Sequence, residues 1–178
     1  MTRHELIQRI RETALLHGEF TLRSGRKSKY YLDKYLFATQ PDVLAALGRS
    51  FAEVVDRLEQ PIDRLAGPEL GGVPLVTAAA LATGLPMVLV RNAKKDYGTA
   101  KRFEGVLNPG DRVLITEDIA TSGGQSIEAA RLLRDEVGAE VAKIVVVIDR
   151  QEGAREAIEA AGFAFEALFT KSDLGIDE

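Results

Sequence analysis

The sequence predicts an α/β fold, a central and mainly parallel sheet flanked by helices, and three observations predict it. From residue 63 onward, short apolar runs alternate with helical patterns, the order that builds a parallel sheet through crossover helices. The apolar runs at 113–115 and 144–148 are continuous rather than alternating, as in strands covered on both faces. The chain has 178 residues, 46% apolar and 28% charged, which suits one globular domain over residues 1–178 with a full hydrophobic core.

The elements follow in order. Thr2 can cap a helix and Glu5 can reach back to it; Leu6, Ile10 and Ala14 then share one face, and Gly18 ends the helix. Residues 18–33, GEFTLRSGRKSKYYLD, hold two short β-type runs, Phe20–Leu22 and Tyr30–Leu32, around a Ser24–Gly25 turn. Pro41 starts a second helix with the stripe Leu44, Leu47, Phe51, Val54 and Leu58. Strands are expected at 64–67, 86–90, 112–116, 143–149 and 163–169. Helices are expected at 73–83, 125–137 (closed by Gly138) and 152–161 (ended by Gly162), and 91–105 reads as a long polar loop.

Composition narrows the chemistry. The net charge of −4 gives no global attraction to nucleic acid or an anionic membrane. The absence of cysteine removes disulfides, thiolate catalysis and cysteine-held metals. The two histidines, His4 and His17, both lie near the N-terminus, which argues against a Ser-His-Asp triad or a histidine metal site. A metal, if used, would be a hard cation such as Mg²⁺ held by oxygen. No signal peptide opens the sequence and no apolar run approaches about 20 residues, so a cytoplasmic protein without membrane contact is expected.

In open α/β sheets, ligands bind beyond the carboxyl ends of the strands. Three segments fall there: GPELGG (67–72), EDIATSGG (117–124) and DRQEG (149–153). In the second, Ala120, Thr121, Ser122, Gly123 and Gly124 are small enough for backbone amides to approach an anion, and a helix N-terminus follows. The order is neither a Walker A loop nor a dinucleotide fingerprint. Glu117 and Asp118 just before the turn would repel a bare phosphate, but ionised carboxylates are good acceptors for vicinal hydroxyls. The stretch VLITEDIATSGGQS (113–126) resembles the phosphoribosyl-diphosphate (PRPP) motif of type I phosphoribosyltransferases. That resemblance implies the type I phosphoribosyltransferase fold, with a small N-terminal hood at about residues 1–40 and a flexible catalytic loop at about 91–105. It also implies that the 5-phosphate sits in the turn and that Glu117 and Asp118 face the ribose hydroxyls, close to Mg²⁺.

The segment VRNAKKDYGTAKRFEG (90–105) gathers Arg91, Lys94, Lys95, Lys101 and Arg102 against Asp96. A solvated basic loop is one account of it. A lid is the other, favoured by its length, its glycines and the buried strand before it, since a diphosphate leaving group needs cations. It resembles the flexible loop of orotate phosphoribosyltransferases, R-x-x-x-K-[DE]-H-G, through Arg91, Lys95, Asp96 and Gly98, with Tyr97 where the family often has histidine and Asn92 where some members have lysine. The N-terminal FTLRSGRKSKYY is similar to the same family, as is DRQE around Arg150.

The family resemblance assigns the remaining roles. Catalysis would rest on Lys95, Arg91, Asp118 and Glu117. PRPP would contact Arg91, Lys94, Lys95, Tyr97, Glu117, Asp118 and the run Ile119, Ala120, Thr121, Ser122, Gly123, Gly124 and Gln125. Orotate would contact Thr121, Tyr31, Leu32 and Arg150, whose planar fork suits a carboxylate. The turn Glu69, Leu70, Gly71, Gly72 would hold diphosphate, with Gly71 where some members have lysine. Mg²⁺ would ride in on PRPP, and the loop would reach a partner's site in a homodimer. Residues alone do not say whether Tyr30 or Tyr31 faces the ligand. A purine phosphoribosyltransferase and a non-catalytic regulator on the same fold are the rivals; a neutral purine offers no carboxylate to Arg150, and a regulator has no use for the lid.

Overall fold

The computed structural model describes residues 1–21, 25, 27–92 and 102–176. Helix α1 (Arg3–Ala14) begins on the expected capping box: the Glu5 amide donates to Thr2 Oγ1 at 3.3 Å and the Thr2 amide to Glu5 Oε2 at 2.7 Å. Leu6, Ile10 and Ala14 form its buried face. The helix ends at Ala14, before the expected stop at Gly18, because the chain passes directly into β1 (Leu15–Thr21). Strand β1 pairs antiparallel with β2 (Lys27–Leu32), and Gly18 lies where their register shifts between His17 and Phe20. A glycine that reads as a helix stop thus marks a strand irregularity.

A short helix, α2 (Lys34–Ala38), follows at once, capped by Asp33, whose carboxylate accepts from the Tyr35 amide at 3.0 Å. Five residues are too few to carry a periodic signal. Helix α3 (Pro41–Asp56) starts at Pro41 as expected and buries Val43, Ala46, Leu47, Phe51 and Val54; Leu44 and Leu58 are only partly covered.

The remaining chain alternates as the pattern requires: β3 (Arg64–Pro68), α4 (Gly72–Thr83), β4 (Met87–Val90), β5 (Phe103–Glu104), β6 (Arg112–Ala120), α5 (Gly124–Arg131), β7 (Glu140–Asp149), α6 (Ala154–Ala160) and β8 (Phe165–Thr170). Helix α5 runs on through a wider π-type turn, Leu132–Val137, and closes at left-handed Gly138. The edge strand β5 lies in the stretch expected to be loop; two residues give no pattern, and pairing with β4 creates it.

The sheet order is β5-β4-β3-β6-β7-β8, parallel except for β5. Alternation along the strands feeds two cores. Leu65, Leu114, Val145 and Val147 pack with α1, α3 and α4, whereas Ala66, Val113, Ile115, Ile144 and Val146 pack with α5 and α6. After β3 the chain builds outward to β4, then returns to lay β6 on the other side of β3. That reversal opens a crevice at the carboxyl ends of β3 and β6. Among the described residues, no helix is long and apolar enough to cross a membrane.

Candidate active site

Strand β6 runs to Ala120, past its expected end at Thr116. Glu117 and Asp118 are therefore strand residues, 3% and 2% exposed, and not loop residues on a doorstep. Adjacent strand positions point to opposite faces. Glu117 faces a cavity; Asp118 faces Gly71 and Lys34. The Asp118 amide donates to Glu117 Oε1 at 3.1 Å, and Glu117 Oε2 has no hydrogen-bond partner. The Ile119 amide donates to Asp118 Oδ1, while Oδ2 lies 2.9 Å from Lys34 Nζ as an ion pair without a hydrogen bond. Burial, reinforced by the Asp118 charge, pushes the Glu117 carboxyl up to about 8. Burial works against the Lys34 ammonium, but Asp118 and then Glu117 outweigh it and hold its pKa above the ordinary lysine value.

Beyond the strand, Thr121 and Ser122 are exposed and Gly123 turns the chain with φ 76°. A Cβ at Gly123 would stand 2.9 Å from Ile158 Cγ1 and 3.2 Å from the Ala154 carbonyl oxygen. Glycine is thus required twice, by the left-handed backbone and by the closeness of α6. Helix α5 then starts at Gly124, and its first-turn amides have no acceptor within the helix. These are the donors a phosphate group needs.

A cavity of about 770 Å³ is lined by Thr21, Tyr31, Glu117, residues 119–126, Arg150 and Glu152. It gathers the expected phosphate turn, one acid and three of the four expected orotate contacts, Thr121, Tyr31 and Arg150. Tyr31 lines it, 43% exposed, whereas Tyr30 packs against the core, which answers the question the residues left open. Leu32 is a correction: it is 7% exposed inside the core, one strand position from Tyr31 and hence on the other face. Arg150 Nε pairs with Glu152 Oε1 at 3.1 Å on the cavity wall. Its backbone amide is tied to the Ala120 carbonyl at 2.9 Å. Gln151 next to it adopts φ 56°, held by its amide on Asp149 Oδ1 (2.7 Å) and by Ser172 Oγ donating to its Oε1 (2.8 Å). A left-handed non-glycine residue of this kind is a mark of functional corners.

The turn after β3 lies across the crevice. The Glu69 carbonyl accepts from Gln125 Nε2 (3.1 Å) and Asn92 Nδ2 (3.3 Å), and Glu69 Oε1 accepts from the Asn92 amide (2.7 Å). Glu69 therefore ties this turn to α5 and to the start of the basic loop. Leu70 is 65% exposed, and Gly72 opens α4. Arg91 lines a small separate pocket with Asn92, Arg102 and Gln125; its Nη1 is 3.7 Å from Glu104 Oε1, and its buried Nε has no hydrogen-bond partner. Lys94, Lys95 and Tyr97 lie outside the described residues. Two further side chains near the site, Lys34 and Thr21, had no role assigned from the sequence; Lys34 carried a signal as the last cation of an N-terminal basic run with Arg23, Arg26, Lys27 and Lys29.

Residues 37–170 match the phosphoribosyl transferase domain family. The orotate phosphoribosyltransferase of Pyrococcus abyssi is 44% identical over 173 residues, covering 97% of this chain and 94% of that protein. That of Haloquadratum walsbyi is 45% identical over 178 residues, covering 99% and 94%. Among solved structures, Mycobacterium tuberculosis orotate phosphoribosyltransferase in complex with PRPP is similar with a TM-score of 0.83 and 33% identity, over 98% of this chain and 99% of that one. Trypanosoma brucei adenine phosphoribosyl transferase, at 20% identity and a TM-score of 0.72 over 97% of this chain and 82% of that one, shares the architecture alone.

Proposed function

Because the chain belongs to the orotate phosphoribosyltransferase family, we propose that it transfers the 5-phosphoribosyl group from PRPP to orotate in pyrimidine biosynthesis. The products are orotidine 5′-monophosphate and diphosphate. The observation that carries this reading is the single cavity wall on which Glu117, the 119–126 turn, Tyr31 and Arg150 meet.

The chemistry asks little of the protein covalently. Orotate N1 forms a bond to C1′ of the ribose as the C1′–O bond to diphosphate breaks, through an oxocarbenium-like ribose. The turn 121–126 holds the 5-phosphate with its amides and hydroxyls. Glu117 and Asp118 take the ribose hydroxyls, with Ile119 and Ala120 forming the floor beneath them. Arg150 exchanges Glu152 for the orotate carboxylate, Tyr31 lies against the pyrimidine ring, and Thr121 sits between the two substrates. The 69–72 turn and Arg91, with Lys94, Lys95 and Tyr97 of the loop, receive the departing diphosphate. Rate enhancement comes from positioning and from charge placed where the leaving group grows negative.

The donor set is consistent with Mg²⁺ arriving on PRPP. Glu117 Oε2 and Asp118 Oδ2 are hard oxygens that make no hydrogen bond, the donor type such a cation takes. Bound with the diphosphate, Mg²⁺ would neutralise part of its charge. We further infer one domain with a hood at about 1–40 and a loop at about 91–105, a cytoplasmic homodimer whose loops serve the partner's site, and no nucleic-acid partner.

With Mg²⁺ and PRPP, the protein is expected to consume orotate but not adenine, hypoxanthine or uracil. Equal turnover of a purine would overturn the acceptor assignment. A purine-type enzyme is disfavoured by Arg150 on the cavity wall, which would face a neutral ring.

A further inference from the structure

We propose that Lys34 is a positioning residue for the phosphoribosyl donor: reaching past Gly71, it sets the Asp118 carboxylate that meets the ribose hydroxyls. This role presupposes the PRPP reading above.

Three observations carry it. Lys34 Nζ lies 2.9 Å from Asp118 Oδ2, a buried carboxylate oxygen that makes no hydrogen bond. Gly71 leaves the space for that contact. A Cβ at Gly71 would collide with Asp118 Oδ2 and fall 3.3 Å from Lys34 Nζ. Gly71 has φ −68°, open to any residue, so its lack of a side chain matters here for the close approach and not for the backbone. Finally, the junction that presents Lys34 is pinned. The Asp33 amide donates to the Ala14 carbonyl at 2.9 Å, and the Asp33 side chain caps α2. One rigid corner thus places Tyr31 at the acceptor end of the site and Lys34 at the donor end.

The need for such a cation is physical. Two neighbouring carboxylate side chains lie here almost without solvent, and a cation beside one of them offsets their mutual repulsion. Lys34 gives Asp118 that partner and holds it against the turn.

Three single variants and one double variant test this. Lys34→Met keeps the aliphatic stem and removes the charge; it is expected to raise KM for PRPP about tenfold with KM for orotate and the melting temperature nearly unchanged. Lys34→Arg should recover most of the loss. Gly71→Ala, with Lys34 intact, should displace Asp118 and reproduce the PRPP defect. The Lys34→Met/Gly71→Ala pair should then be little worse than either alone, because both act through one carboxylate. An unchanged KM for PRPP in Lys34→Met overturns the proposal. So does an equal rise for both substrates with a lowered melting temperature and no recovery by arginine, which would mark a merely structural lysine. Calorimetric titration with PRPP and Mg²⁺ reads the same effect without an acceptor. Loss of PRPP affinity in Lys34→Met would therefore support the role even if orotate were the wrong base, and unchanged affinity would sink it.

Discussion

The two ends of the cavity are built differently. The end we assign to the donor rests on β6, a central strand, with the nearly inaccessible Glu117 and a glycine turn wedged against Ile158 of α6. The acceptor end rests on Tyr31, 43% exposed on a two-stranded hairpin, and on Arg150, held by an ion pair to Glu152. The donor end is preformed by packing. The acceptor end is assembled from side chains that can exchange partners. A sugar-phosphate with several fixed charges rewards a rigid cradle, whereas a flat ring with one carboxylate needs only a stacking face and a fork.

Perturbing each end should separate them. The largest effect is expected from Arg150→Ala, which should weaken orotate binding by roughly 2–5 kcal/mol, since one partner of a charge pair is lost; KM for PRPP should hardly move. A rise confined to PRPP would place Arg150 at the wrong end. Gly123→Ala should come next, costing about 1–3 kcal/mol in denaturant unfolding through its positive φ and the Ile158 contact. An unperturbed unfolding midpoint would show that the turn is looser than its packing implies.

A third effect follows from Glu117. Its carboxyl ordinarily titrates near 4.5 and is held up to about 8 by burial and Asp118. The folded state keeps a proton that the unfolded chain releases, so ligand-free stability should fall as pH rises from about 4.5 to about 8. Thermal unfolding across that window should show the slope in the wild type and a flatter profile in Glu117→Gln. Identical profiles would mean the acid is not the strained element of the donor end. The smallest effect is expected from Tyr31→Ala, about 1 kcal/mol in orotate affinity from the lost ring contact, measured by product inhibition or direct titration.

Much of this site was legible in the chain because its signals are local. The run from Val113 to Ser126 holds strand, acids, glycine turn and helix start in contiguous residues, so its order points to a phosphate site and its resemblance to the PRPP motif to a sugar-phosphate. Arg150 was legible because it directly follows a buried strand, and the folded chain does put it at the carboxyl edge. Leu32 was misread because neighbouring strand residues look alike in a motif but face opposite ways once one side is buried. The hairpin's true length and α2 were missed because antiparallel pairing and a five-residue helix leave almost no periodic trace.

The sequence by itself determined the strand–helix alternation and the parallel sheet, since these follow from hydrophobic period, and it set the acids, hydroxyls and glycines of the 117–126 stretch side by side. Only the tertiary structure decided which tyrosine faces the cavity, that Glu117 and Asp118 are buried on opposite faces of β6, and that Lys34 reaches Asp118 through the space left by Gly71. Those contacts join residues far apart in the chain. Their strength depends on distance and burial, which no local pattern encodes.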